Sequence, residues 1–130
     1  LGLQIFDARS GTWNALNDEN SAMRFNDVSV VRCYPAFDFA VVGYERNGLD
    51  IYDATTNEWR SVGRADGLSV ETVEDVAVIG DRDAIWVSSG SSLTALSNGQ
   101  PAVYHENNSP LTSSRIGAMK VIDSDTLWIG

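Results

Sequence analysis

The chain has one cysteine, one histidine and only nine basic residues among 130 positions. A single thiol, Cys33, excludes an internal disulfide, and its place in an apolar run predicts a buried, inert side chain. A lone histidine, His105, would have to carry any His-based metal site or Ser-His-Asp triad by itself. Its neighbours Tyr104 and Glu106 predict an exposed position on a rim. Eighteen acidic residues against nine basic ones leave a net charge of -9. That balance excludes the basic stripe of a sequence-independent nucleic-acid binder and disfavours anionic membrane surfaces. Apolar runs fall well short of the roughly 18 residues that a membrane-spanning helix needs, so no direct membrane insertion is expected. No basic stretch followed by an apolar one opens the chain as a secretion signal would, and the first residue is not Met. The sequence therefore reads as a piece of something longer. No window sustains a 3.6-residue apolar period over three turns, so no helix is expected.

What is present is repetition. Gly2-Leu3-Gln4-Ile5-Phe6-Asp7-Ala8, closed by Trp13, returns as Gly48-Leu49-Asp50-Ile51-Tyr52-Asp53-Ala54, closed by Trp59. A weaker third copy runs Ser92-Leu93-Thr94-Ala95-Leu96-Ser97, with Tyr104 expected near the place of the tryptophan. Between these copies lies a second recurring pair of runs. Val28–Cys33 precedes Phe39–Gly43, Val73–Ile79 precedes Ala84–Ser88, and Ile116–Ile122 precedes Thr126–Gly130. Turn-forming residues punctuate them at Arg9-Ser10-Gly11, Thr56-Asn57-Glu58, Gly80-Asp81-Arg82-Asp83, Ser97-Asn98-Gly99 and Asp123-Ser124-Asp125. Several runs are apolar on both faces, as expected of a sheet sandwiched between two others.

Four short strands per repeat of 40-odd residues describe one blade of a β-propeller. The predicted fold class is all-β, a propeller segment of four-stranded antiparallel blades. Calling the strands A to D from the centre outward, the chain reads C-D, A-B-C-D, A-B-C-D, A-B. Two whole blades (17–62 and 63–105) are flanked by complementary half-blades (1–16 and 106–130).

The pattern resembles the two-component regulator propeller repeat. The stretches that carry the likeness are Asp66-Gly67-Leu68 before Val73, Asn108-Ser109-Pro110-Leu111 before Ile116, Leu127-Trp128-Ile129-Gly130, and Gly48-Leu49-Asp50-Ile51-Tyr52-Asp53. Phe39-Ala40-Val41-Val42-Gly43 departs from the Leu-Trp-Ile-Gly form of the family. Kelch repeats are the alternative, through Tyr52–Trp59, but the Gly-Gly pair that closes their second strand is missing. The resemblance implies a sensing role in an extracellular or periplasmic bacterial protein. A sialidase-type Asp-box fails at Arg9, where the motif needs Asp.

Catalytic equipment is sparse. No Gly-rich phosphate loop occurs, and no catalytic residue, metal or cofactor is assigned. The Asp81-Arg82-Asp83 and Asp123-Ser124-Asp125 turns offer paired carboxylates suited to calcium, yet each also reads as an ordinary hairpin turn. Asn107-Asn108-Ser109 is a formal glycosylation sequon of little weight. Propeller geometry places a binding site on the face shared by the D-A and B-C loops. Those loops carry Arg24, Tyr44, Glu45, Arg46, Arg64, Asp66 and Arg115, a set suited to a carboxylate or an acidic partner.

The half-blades leave bare edges flanked by Leu3, Ile5 and Trp13 at one end and by Leu127 and Trp128 at the other. Such edges call for the remainder of the same propeller, a second copy completing the half-blades, or a different protein partner. The expected function is a non-enzymatic binding or sensing platform. The alternative is a structural subunit docking through its open blade edges, with a lyase or glycosidase-like propeller as the third reading.

Overall fold

Short Val- and Ile-rich runs separated by Asp- and Gly-bearing turns fold as antiparallel hairpins, and such hairpins build this chain. The computed structural model describes residues 2–69, 72–97 and 100–130, so the expected Asn98-Gly99 turn lies outside the described residues. Twelve strands are formed: β1 (Leu3–Asp7), β2 (Thr12–Leu16), β3 (Val28–Tyr34), β4 (Phe39–Tyr44), β5 (Leu49–Asp53), β6 (Glu58–Val62), β7 (Asp75–Val78), β8 (Ile85–Ser89), β9 (Ser92–Ser97), β10 (Gln100–Tyr104), β11 (Met119–Asp123) and β12 (Thr126–Ile129). Strands β3 to β6 form one four-stranded meander and β7 to β10 a second, while β1–β2 and β11–β12 are two-stranded hairpins. These are the four-stranded antiparallel sheets that the sequence predicts, with a two-stranded hairpin before and after them. The helical content among the described residues is two one-turn 3₁₀ segments, Pro35–Phe37 and Arg64–Asp66.

Each part of the opening heptad echo has a structural reason. Gly2 and Gly48 hold positive φ angles of 107° and 72°, and a Cβ there would run into the carbonyl oxygens of Leu16 and Val62. Phe6 packs its ring on Trp13 at 4.8 Å and Tyr52 packs on Trp59 at 5.0 Å, each pair directly opposite across a hairpin. Asp7 and Asp53 end the strand and accept backbone N–H bonds from Arg9 and Ser10, and from Thr55 and Thr56. Those donors favour the ionised form and hold both carboxyls below their ordinary range, with the Arg82 side chain the largest influence at Asp53.

The register corrects the third copy. Leu93 lies opposite Tyr104, as Leu49 lies opposite Val62, so Pro101 and not Tyr104 stands at the tryptophan position. Only residues 98–99 separate β9 from β10, where residues 54–57 separate β5 from β6, and that shorter connection moves the alignment.

Alternation along each strand sends side chains to two different interfaces. On β4, Phe39 and Val41 pack toward β7 and β8, whereas Val42 and Tyr44 pack toward β1 and β2. The largest cluster joins the two four-stranded sheets through Val30, Val41, Leu49, Ile51, Val76 and Val87. Each such fully buried aliphatic side chain contributes about 1.5–3 kcal/mol. A third cluster around Ala77, Ile116 and Met119 seats β11–β12 on the second sheet. Sheets approach closely where β4 carries Gly43. A Cβ there would lie 2.6 Å from methyl carbons of both Val30 and Val73.

The first strands of successive sheets are tied by one acid. Asp75, buried on β7, accepts from Arg32 of β3 at 2.6 Å and from the Met119 N–H of β11 at 2.7 Å. Cys33, expected to be buried, is exposed. In register it matches Val78 of the second sheet, which is buried by the first sheet. The β1–β2 hairpin packs around Val42, Tyr44 and Trp59 and leaves the Cys33 side chain uncovered.

Candidate functional site

The connections β2–β3, β4–β5 and β6–β7 gather at one end of the meanders, as an antiparallel strand order requires. Backbone bonds hold this end together: Glu45 N–H donates to the Asp27 carbonyl at 3.0 Å, and Val73 N–H to the Tyr44 carbonyl at 3.0 Å.

Its centre is Asp50, fully buried on β5. The carboxyl accepts from Tyr44 Oη at 2.6 Å, Ser61 Oγ at 2.7 Å, Arg24 Nε at 3.0 Å and the Arg24 N–H at 3.1 Å. Arg24 Nη2 also donates to the Asn47 carbonyl at 3.3 Å. Four donors on one buried carboxyl make a satisfied polar cluster, the condition for its burial without a large penalty. Burial, reinforced by the Asp50 bond, pushes the Tyr44 hydroxyl far above its usual range, so Tyr44 stays a donor.

This geometry divides the expected site residues. Arg24 and Tyr44 come together, but around Asp50. Tyr44 is fully buried at the end of β4 and presents no phenol to the loop face, which corrects its expected role there. The cause is alternation: residue 44 shares the inward face with Val42. Arg46 and Arg115 are exposed beside exposed Glu45 and Gly117. Arg64 and Asp66 bracket the second 3₁₀ turn, where Asp66 Oδ2 accepts from the Gly63 N–H at 2.9 Å. Both line a cleft of about 800 Å³ beside β6 and β10, with Arg60, Asp83, Gln100 and Pro101. Of the five hairpin-edge residues, Leu3 and Leu127 are partly buried, Ile5 is exposed, and Trp13 and Trp128 stand 67% and 66% exposed.

Sequence reasoning did not single out Asp50, Ser61, Arg32 or Asp75. The available signal was an aspartate inside an otherwise apolar strand, as in Leu49-Asp50-Ile51. The second sheet replaces the charged cluster by hydroxyls. By register, Thr94 takes the place of Asp50, and Ser69 reaches it at 3.2 Å and also bonds Ser92.

The acidic turns lie at the opposite end. Asp81 Oδ1 accepts from the Asp83 and Ala84 N–H groups at 2.9 and 3.1 Å, and Asp123 Oδ1 from the Asp125 N–H at 2.9 Å. Each first aspartate thus serves its own turn. Arg82 leaves its turn to pair with Asp53 of the neighbouring sheet at 2.5 Å and lies 5.5 Å from the Phe39 ring centre. Among the described residues, no group of three or more His, Cys, Asp or Glu side chains converges on a metal-sized site. His105 is half-exposed and bonds within its own loop, its Nδ1 accepting from the Asn107 N–H at 3.3 Å.

Among the described residues no helix is long and apolar enough to cross a membrane, which leaves strand-built spans unaddressed. No protein-family model matches the sequence, and no curated protein matches it. Solved structures share the fold, among them two extracellular domains. The extracellular domain of the hybrid two-component system BT3049 from B. thetaiotaomicron superposes over 99% of this chain with a TM-score of 0.76 at 18% identity. The extracellular domain of the one-component system BT4673 from the same organism does so over 99% with a TM-score of 0.63 at 16% identity. The chain spans 19% and 24% of the lengths of those two structures. At such identities the likeness establishes the fold: an all-β chain of four-stranded antiparallel sheets.

Proposed function

We propose that the chain is a run of consecutive β-propeller blades, of the two-component regulator type, acting as a non-enzymatic binding and sensing platform in an extracellular or periplasmic protein. Residues 17–62 and 63–105 are its whole blades, and 1–16 and 106–130 its half-blades. The observation that carries this reading is the tie between β3, β7 and β11 through Asp75, which sets equivalent strands of successive sheets side by side. Rigid stacking of that kind fixes the loops at one end, where a platform needs them. The two structural neighbours are themselves extracellular domains of regulatory systems, which supports the compartment and the sensing role. The ligand is a carboxylate-bearing molecule gripped by the exposed guanidiniums of Arg46 and Arg115.

Screening on an array of uronate-containing oligosaccharides and Asp/Glu-rich peptides tests the proposal. Retention by the native chain and loss by Arg46→Glu/Arg115→Glu is the expected result. Binding indifferent to both arginines, or turnover of the probe, would refute it. The second reading, a structural subunit docking through open edges, is favoured by one observation: the large exposed side chains cluster on the two terminal hairpins.

A further inference from the structure

We infer that the cleft beside β6 and β10 binds a small apolar zwitterion, a free aliphatic amino acid or a di- or tripeptide, with Arg60 holding its carboxylate and Asp83 its ammonium. The site needs only the two four-stranded sheets. It uses neither Arg46 nor Arg115 and so goes beyond the reading above.

Strand register sets Arg60 opposite Ile51, so both side chains share the face of the first sheet that meets the second. Asp53, two residues beyond Ile51 on β5, shares that face too. The turn before β8 answers them with Arg82 and Asp83. Two complementary pairs therefore stand at one interface. Arg82 and Asp53 close the first at 2.5 Å. The second stays open. Arg60 and Asp83 are exposed and line the same two adjoining clefts, of about 800 and 480 Å³. Among the described residues neither side chain has a hydrogen-bond or ion-pair partner. Asp83 uses only its N–H, which donates to Asp81 Oδ1 at 2.9 Å.

The remaining walls select the ligand. Val62 is buried, and Leu96 packs on the core between the sheets. Pro101, opposite Leu96 on β10, carries this apolar surface to Gly67, where an added Cβ would lie 2.3 Å from the proline ring. Asp66, the other acid of the larger cleft, is engaged by the Gly63 N–H at 2.9 Å. Arg60 and Arg64 balance Asp66 and Asp83 there, although the whole chain carries a net charge of -9. An anion alone would meet like charge at Asp83, and a cation alone would meet it at Arg60. A zwitterion answers both. Its two carboxylate oxygens match the guanidinium fork, and its ammonium donors match an acceptor-only carboxylate. An aliphatic side chain then covers Val62, Leu96 and Pro101. The volume lies in the range of small-molecule sites.

Amide chemical-shift titration of the native chain with leucine and with leucyl-leucine tests the site. Saturable shifts are expected around Arg60, Gly67, Asp83 and Gln100, and the tighter of the two ligands identifies the length that spans the cleft. The N-acetylated form of that ligand lacks the ammonium, and the amidated form lacks the carboxylate. Each should bind at least roughly tenfold more weakly. Arg60→Gln should abolish the preference for the free carboxylate and keep that for the free ammonium. Asp83→Asn should do the reverse. Blocked ligands that bind as tightly as the zwitterion, variants that change both preferences alike, or no saturable shift with either zwitterion would overturn the inference. The Arg46→Glu/Arg115→Glu chain should titrate as the native chain does, so this site and the loop-end reading fail separately. Loss of the leucine titration in that variant would move the ligand to the loop end and also overturn the site proposed here.

Discussion

Arg24 Nε lies 3.0 Å from Asp50 Oδ1, an ion pair in which the acid is wholly buried while the arginine side chain is 39% exposed. The arginine belongs to the β2–β3 connection and the acid to β5, so the pair pins a loop onto a sheet. Removing the arginine side chain takes a charged donor from a buried carboxyl, and removing the acid leaves the Tyr44 and Ser61 hydroxyls without their acceptor. Asp50→Ala should cost roughly 3 kcal/mol in denaturant unfolding, since Tyr44, Ser61 and Arg24 all lose their acceptor. Importing the second sheet's solution, Arg24→Ser with Asp50→Thr, should cost less than the sum of the two single changes. A strictly additive double-mutant cycle would show that the cluster does not act as a unit.

Gly43 is hemmed in by Val30 of its own sheet and by Val73 of the segment that leads into β7. Gly43→Ala places a methyl 2.6 Å from carbons of Val30 and Val73 and should destabilise by about 1–3 kcal/mol. Gly63→Ala is the control, because its Cβ meets nothing within 4 Å. The pair can be compared by thermal unfolding under identical conditions.

Tyr34 gives a pH signature. Burial pushes its hydroxyl up to about 12 from the ordinary 10.0, partly offset by Arg32. The unfolded chain therefore loses this proton first as pH rises. The stability linked to it is fully present below pH 10 and is lost between pH 10 and about 12. Tyr44 is shifted in the same direction and adds to the loss. Tyr34→Phe should flatten the fall in unfolding free energy measured across that window. An unchanged slope would mean that Tyr34 reaches solvent in the native state.

Arg82 links neighbouring sheets from an exposed turn, through Asp53 and the Phe39 ring. Arg82→Ala should remove less than about 1 kcal/mol, because the guanidinium is largely in water. Its clearer effect should be on Asp53, whose carboxyl should titrate closer to 3.8 by carbon-detected NMR.

Much of this architecture is written in short-range chemistry. The Asp7 and Asp53 turns, the left-handed Gly2 and Gly48, and the Val-rich strands are all local, so strand order and the two terminal hairpins were legible. What escaped was set by contacts distant in sequence. Tyr44 reads as a loop residue until alternation from Val42 turns it inward. Cys33 reads as core, because its apolar neighbours Val30 and Val31 do not reveal that the β1–β2 hairpin packs elsewhere and leaves it uncovered. Asp75 looks like one more acid on an acidic chain, although it binds Arg32 and the Met119 amide on two other sheets. A loop motif also passed unnoticed. Asn20-Ser21 folds its connection through the same side-chain bonds that Asn108-Ser109 uses two sheets later.

The central claim is that the end of the sheets bearing the long connections is the binding platform. Chemical-shift mapping with an acidic oligosaccharide or peptide retained on the array tests it most directly. The account predicts shifts confined to amides around Arg24, Glu45, Arg46 and Arg115. Shifts confined to the opposite turns, residues 8–11, 54–57 and 81–84, would contradict it.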